Sequence, residues 1–278
     1  MMDKRLHVYR ADLADARLEG QVEADRFVSG TAAQFVAPCT PVHHAPQSNA
    51  VQLTQAVMGE TALMFEQKNG WTWVQLDHDQ YVGYVRSESL SATVHPTTHQ
   101  VCVASTLIYP KPDLKTQPAI LIPMNAKLAV IGEHGQYSEL ATGGFVFTKH
   151  IDAKIRPSDY VAIAEKFLNV TYLWGGKTQS GLDCSGLVQT ALHACGISCP
   201  RDADMQEKEL GTTLHINDLD GLKRGDLVFW AGHVGIMFDE SNLIHSNGFH
   251  MQTVIEPLKL AATRIADSEK PITSLKRL

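Results

Sequence analysis

One cysteine and two histidines stand out by what surrounds them. Cys184 lies in the run Gly181-Leu-Asp-Cys-Ser-Gly-Leu-Val-Gln, which opens an apolar periodic stretch continued by Leu187, Val188, Ala191, Leu192 and Cys195. A cysteine on the first turn of a helix meets the positive end of the helix dipole and uncommitted backbone N–H groups. Both favour thiolate, the nucleophilic form. Asp183 and Ser185 beside it are residue types that cap a helix, and first-turn N–H groups also suit an oxyanion. His233, in Gly232-His-Val-Gly-Ile-Met, and His245, in Leu243-Ile-His-Ser-Asn, stand twelve residues apart on adjacent strand-like runs. A nucleophile, a base and a third polar group that holds the base form the recurrent arrangement of covalent acyl transfer. His233 is then the base for Cys184, and His245 fixes its ring. A buried structural thiol is the competing reading of Cys184. On helix position alone the two readings stand level, and the histidines favour the nucleophile.

Side-chain alternation sets a condition on the histidine pair. If the two strands form a hairpin over Asp239-Glu-Ser-Asn, Phe238 pairs with Leu243 and Ile236 with His245. The histidines would then face opposite sides of the sheet. An odd-length loop or a one-residue bulge is needed to bring them onto one face.

The remaining candidates are weaker. Five cysteines is an odd count in 278 residues, which reads as free thiols rather than a disulfide framework. Cys195 falls in the last turn of the periodic stretch, and Cys39 and Cys102 lie in β-like text, so small buried hydrophobes describe them best. His43-His44, His95 and His99 read as solvated loop residues. The spacing of His193, Cys195 and Cys199 is too loose for a four-ligand structural zinc. Gly176-Lys-Thr ends like a phosphate-binding loop, but the earlier glycine of that motif falls at Thr171. No metal and no cofactor is expected.

The elements that must position these residues follow from pattern. Residues 1–25 read as a polar N-terminal arm with a short helical stretch. From about residue 26 to 96 the text is β-like, with alternation in Trp71-Thr-Trp-Val-Gln-Leu and again in Tyr81-Val-Gly-Tyr-Val. A second β-rich stretch, 97–150, holds Val101-Cys-Val-Ala-Ser, Leu128-Ala-Val-Ile and Gly144-Phe-Val-Phe between turn signals. The two stretches share a rough ground plan, which suggests a duplicated small β-barrel. At Arg156-Pro-Ser-Asp-Tyr the character changes. A helix is expected from Asp159 to Leu168, with Ser158 or Asp159 as its cap, and a second from Cys184 to Ala194, stopped by Gly196. Two strands are expected at Leu227–Phe238 and Leu243–Ser246. Helices first and a sheet after, within residues 155–278, give an α+β unit.

Composition closes off several classes. Hydrophobic residues at 44% and charged residues at 19% describe a folded chain, not a disordered one. Basic residues number 24 against 30 acidic, a net charge of −6, so nothing draws the chain to nucleic acid or an anionic membrane. No apolar run approaches the ~18 residues of a spanning helix. The opening MMDKRLHVYRADLADARLEG leads into no apolar segment of a secretory signal, so a cytoplasmic protein is expected.

The blocks Tyr172-Leu-Trp-Gly-Gly, Gly181-Leu-Asp-Cys-Ser-Gly-Leu-Val-Gln, Pro200-Arg, Arg224-Gly-Asp-Leu-Val-Phe-Trp, Gly232-His-Val-Gly-Ile and Leu243-Ile-His resemble, in order, the NlpC-type cysteine peptidases. These are papain-like enzymes that cut bacterial cell-wall peptides. The β-rich half resembles the bacterial SH3-like domains that precede many of them. The resemblance implies a papain-like catalytic domain preceded by two small SH3-like β-barrels. It implies Cys184 as nucleophile, His233 as base and His245 as third member. It places Asp183, Ser185 and Arg201 among groups that bind a free substrate amine, with Glu60 and Tyr81 closing over that amine. Related enzymes often carry a hydroxyl two positions after the arginine, where this chain has Ala203. The implied substrate is a murein peptide with a free N-terminal L-alanine, cut between γ-D-glutamate and a diamino acid, meso-diaminopimelate or L-lysine. The whole pattern is similar to the cytoplasmic endopeptidases of muropeptide recycling. Three rivals remain on the residues alone: an amidase or acyltransferase acting on another amide, a non-catalytic wall-binding protein, and a metal-dependent hydrolase.

Overall fold

Two compact units, Met1–Lys154 and Ile155–Leu278, share the chain. The computed structural model describes residues 2–153, 157–215, 219–267 and 271–278. The change of character at Arg156 and the unit start at residue 155 fall outside the described residues.

In the first unit the alternating segment Trp71–Leu76 becomes a fully buried strand, because it is paired on both edges, with Thr61–Lys68 and with Val82–Arg86. The seven-stranded sheet continues outward through Cys39–His43 to Gln52–Val57 on one side, and through Thr31–Phe35 to Leu90–Ser91 on the other. Among the described residues the ladder does not close between these end strands, so the expected closed barrel is here an open sheet. Residues 99–152 build a five-stranded sheet and a three-stranded one around Val101, Ile108, Ile122, Leu128, Leu140 and Val146.

The N-terminal segment corrects the expectation of a polar arm. Val8 and Leu13 are buried and pack with Phe65, Trp73 and Val82 of the large sheet. Arg10 supports that docking by bonding Glu66 and the Tyr84 hydroxyl and lying over the Trp73 ring. Ala14, Asp15 and Leu18 are buried as well, scattered among charged residues, which average polarity does not reveal.

The second unit carries helices α1 (Tyr160–Glu165), α2 (Cys184–Ala194), α3 (Ala203–Glu209) and α4 (Leu258–Ala266). Its sheet has strands β1 (Leu227–Trp230), β2 (His233–Met237), β3 (Asn242–Asn247), β4 (Gln252–Pro257) and β5 (Ile272–Arg277). Thr212–Thr213 lies at one edge, and the order is Thr212–Thr213, β5, β1, β2, β3, β4, all antiparallel. The single strand expected over Leu227–Phe238 is two strands folded back at Ala231-Gly232, with Trp230 opposite His233. Gly232 takes φ +80°, a conformation that favours glycine, which is how an apolar run reverses without a longer loop. No helix among the described residues is long and apolar enough to cross a membrane.

Candidate active site

Asp183 starts α2. Its Oδ1 accepts the Gly186 N–H at 2.7 Å, the bond of an N-cap, so Cys184 becomes the first helical residue. The helix runs against the loop before it so closely that a Cβ on Gly186 would sit 2.0 Å from the Gly176 carbonyl oxygen. Only glycine permits that approach, and it fixes the depth at which Cys184 enters the site.

The thiol is 8% exposed. Burial, and then the Asp183 charge, push it up to about 12, while N–H groups of Val234 and Ser185 and the Arg201 charge pull the other way. The helix-start argument alone expects a thiolate. Here burial and the Asp183 charge oppose that effect. The bond from Val234 N–H to the sulfur sets Cys184 against the backbone next to His233.

The histidines meet. The hairpin between β2 and β3 pairs Met237 with Leu243 and Ile236 with Ile244, and Phe238 N–H reaches the Asn242 carbonyl. The loop is therefore Asp239–Ser241, of odd length, one residue shorter than Asp239–Asn242. Asp239 builds it by accepting the N–H groups of Ser241 and Asn242 and the Asn242 side-chain amide. In this register His245 lies opposite Gly235, so His233 and His245 share a face as diagonal neighbours. His233 Nε2 is 2.8 Å from His245 Nδ1. His233 is half-buried and His245 fully buried. Burial pushes His245 below the ordinary imidazole value, against the upward pull of Glu256.

Asp183, Ser185 and Arg201 also come together, but with one another. Arg201, 1% exposed, donates Nη2 to Asp183 Oδ2 at 2.7 Å and Nη1 to Asp183 Oδ1 at 3.0 Å and Ser185 Oγ at 2.7 Å. Gly175 N–H fills another position on Oδ2. A substrate ammonium would therefore join an occupied carboxylate, not an unpaired one. Tyr172 lies near enough that burial, followed by the charges of Cys184 and Asp183, raises its hydroxyl well above the usual range.

Glu60 and Tyr81 belong to the first unit and are both buried. Glu60 Oε2 accepts the Val57 N–H at 2.9 Å, and its Oε1 lies 3.7 Å from His78 Nδ1. Tyr81 sits one residue before the strand Val82–Arg86, its N–H donated to Asp79 at 3.1 Å. Asp77 N–H bonds the Thr61 carbonyl and Leu76 N–H bonds the Tyr81 carbonyl, which puts Glu60 and Tyr81 at the same end of the sheet. Of the other singled-out residues, the His193 ring bonds the Cys199 carbonyl at 3.1 Å, and Ala203 is a buried first residue of α3.

Residues 169–263, which hold the cysteine and both histidines, match the NlpC/P60 family. The second unit contains an NlpC/P60 domain. Ahead of it, residues 42–90 match the bacterial dipeptidyl-peptidase Sh3 domain, so an SH3-like domain precedes the NlpC/P60 domain. The chain is 28% identical to a gamma-D-glutamyl-L-lysine dipeptidyl-peptidase of Bacillus subtilis, over 71% of this chain and 73% of that one. A protein of the same name from Bacillus cereus is 26% identical over 76% and 72%. A solved NlpC/P60 family protein from Bacillus cereus superposes with a TM-score of 0.73 at 20% identity, covering 88% of this chain and 99% of the other. An NlpC/P60 endopeptidase from Photobacterium damselae subsp. piscicida superposes at 0.63 with 14% identity, covering 88% and 71%. Both share the fold.

Sequence reasoning missed one part of the candidate site. Beyond His245 stands Glu256, on β4, with Oε1 2.8 Å from His245 Nε2. Arg264, on α4, grips the same carboxylate. A lone carboxylate in the alternating run Gln252-Thr-Val-Ile-Glu was the available signal, and reading it requires the β3–β4 register.

Proposed function

We propose that this chain is a cysteine peptidase hydrolysing the bond between γ-D-glutamate and a diamino acid, meso-diaminopimelate or L-lysine, in peptidoglycan-derived peptides with a free N-terminal L-alanine. The observation that carries the reading is the buried Cys184 thiol at a helix start, bonded by the N–H of the residue next to His233, whose ring is held by His245. The relatives named gamma-D-glutamyl-L-lysine dipeptidyl-peptidases, similar over most of their length, support the choice of bond.

In the proposed reaction the Cys184 sulfur attacks the γ-carbonyl carbon as its proton passes to His233. Charge develops on the carbonyl oxygen, and first-turn N–H groups of α2 suit it. Collapse breaks the C–N bond, and His233 returns the proton to the departing amine. Water, deprotonated by His233, then hydrolyses the thioester and restores the thiol. The Asp183–Arg201–Ser185 network holds the helix start in place. Glu60 and Tyr81 are proposed to recognise the substrate's ammonium, and an aromatic-and-carboxylate pair suits a cation. The papain-like description of the catalytic unit and the division of the β-rich half into two SH3-like domains, at 26–96 and 97–150, belong to the same proposal. A substrate already released from the wall fits a cytoplasmic location and a recycling role.

The test is mass spectrometry of purified protein with L-Ala-γ-D-Glu-diaminopimelate, with the amine free or acetylated. Release of L-Ala-D-Glu from the free peptide alone, lost in Cys184→Ala and severely reduced in Glu60→Gln, is the expected result. Turnover by Cys184→Ala refutes the mechanism. Equal cleavage of both peptides refutes the amine requirement.

A further inference from the structure

The chain of polar contacts continues past the two histidines. His245 is flanked by His233 Nε2 and by Glu256 Oε1, each at 2.8 Å. Arg264 holds the far side of that carboxylate, Nη1 on Oε2 at 2.7 Å and Nη2 on Oε1 at 2.6 Å. His233, His245 and Glu256 thus form a diagonal across three neighbouring strands, each stepping two residues along the ladder from the last. His250 also faces the carboxylate, its Nδ1 3.8 Å from Oε1 and nearer to Asn247 Oδ1 at 3.0 Å.

Hydrogen-bond logic fixes where the protons sit. An ionised carboxylate only accepts, so His245 carries its proton on Nε2 and donates it to Glu256. A neutral imidazole has one N–H, so His245 Nδ1 accepts, and the donor is His233 Nε2–H. His233 then keeps its lone pair on Nδ1. We propose that Glu256, clamped by Arg264, is a positioning residue that fixes the tautomers of His245 and His233, so that His233 takes the Cys184 proton on Nδ1. The proposal rests on the cysteine-peptidase reading above. Two facts support the protonation states it needs. Burial raises the Glu256 carboxyl, but its bonds from Arg264 and His245 outweigh that and hold it at about 2. Burial also pushes His245 below the ordinary imidazole value, which favours its neutral form. When His233 becomes cationic during attack, its Nε2–H is already donated to His245, and no further proton has to move.

Glu256→Met tests this by removing the acceptor at nearly constant volume. Glutamine would not, because its amide oxygen at the Oε1 position could still accept from both His245 Nε2 and Arg264 Nη2. Without the carboxylate, His245 Nε2 is left beside Arg264, which can only donate, so Nε2 is better placed as an acceptor. His245 then protonates on Nδ1 and donates to His233 Nε2, which leaves an N–H on His233 Nδ1, where a base is needed. The expected loss in kcat is on the order of 10²–10⁴, with KM changed less than about threefold. Histidine ¹⁵N spectra should show Nε2–H at His245 in the wild type and Nδ1–H in the variant. Glu256→Asp should retain the wild-type tautomer and recover part of the rate. A Glu256→Met protein within about threefold of wild-type kcat overturns the proposal. So does Nδ1–H at His245 in the wild type, a measurement that needs no variant to fold. Neither result touches the nucleophile assignment, whereas hydrolysis by Cys184→Ala would remove that assignment and leave the spectra unchanged.

Discussion

The buried Asp183–Arg201 pair beside Cys184 can be taken apart from either side, and the two sides are not equivalent. In Asp183→Asn the new side chain can still accept the Gly186 N–H, but its amide points donors at the Gly175 N–H and the Arg201 guanidinium. Arg201 is 1% exposed, so its charge is left buried and partly unpaired. Breaking a buried pair in this way costs about 3–5 kcal/mol. In Arg201→Met the carboxylate keeps the Gly175 and Gly186 N–H groups and the Ser185 hydroxyl, so the loss should be nearer 1–3 kcal/mol. For a unit of this size a kcal/mol shifts Tm by roughly 3–5 °C, so the catalytic unit of Asp183→Asn should melt about 10–20 °C lower. The double variant should be no less stable than Asp183→Asn, because removing both charges leaves neither buried alone.

The thiol supplies a second readout of opposite sign. Asp183 raises the Cys184 value and Arg201 lowers it. Alkylation by iodoacetamide at neutral pH, measured well below each melting point, should therefore quicken in Asp183→Asn and slow in Arg201→Met. Calorimetry and alkylation rates on the three variants give both numbers. Equal destabilisation by the two single changes, or alkylation shifts in the same direction, would refute the reasoning.

Three further outcomes are expected. Because the resting thiol is pushed up to about 12, wild-type alkylation should keep rising with pH to at least about 10; a plateau below neutral would show a preformed thiolate. Gly186→Ala should cost ~1–3 kcal/mol in urea unfolding, since the Gly176 carbonyl must retreat from a Cβ 2.0 Å away, and an unchanged midpoint would contradict that packing. Glu256 is depressed from 4.5 to about 2, so its contribution is whole above pH 4.5 and lost as pH falls toward 2. Allowing for its partial exposure, unfolding free energy should fall by about 1–2 kcal/mol more across that window in wild type than in Glu256→Gln.

What is legible in the sequence is what is decided locally. The start of α2 can be read because a cap, a first-turn cysteine and an apolar period lie within a dozen residues. The histidine pair can be read as a pair, and even its need for an odd loop follows from alternation. The reversal at Ala231-Gly232 is hidden because both arms of that hairpin are buried, so the apolar text runs on through the turn. Glu256 and the mutual pairing of Asp183 with Arg201 depend on which strands and loops become neighbours, and single-sequence pattern carries no such information. Val8 and Leu13 are obscured in another way, as buried side chains scattered through a charged segment.

From His233 to His245 exposure falls and tethering rises. His233 is the first residue of β2, next to a two-residue turn, while His245 lies in β3, hydrogen-bonded on both edges and shut off from solvent. Motion should be graded in the same way, with the turn opening in local fluctuations and β3 exchanging its amides only when the whole unit unfolds. In the proposed mechanism His233 can then pivot between sulfur, departing amine and incoming water on a fast timescale while His245, which aims it, stays still. Every turnover would in this way begin from the same ring orientation, because the hinge and the anchor lie on different strands.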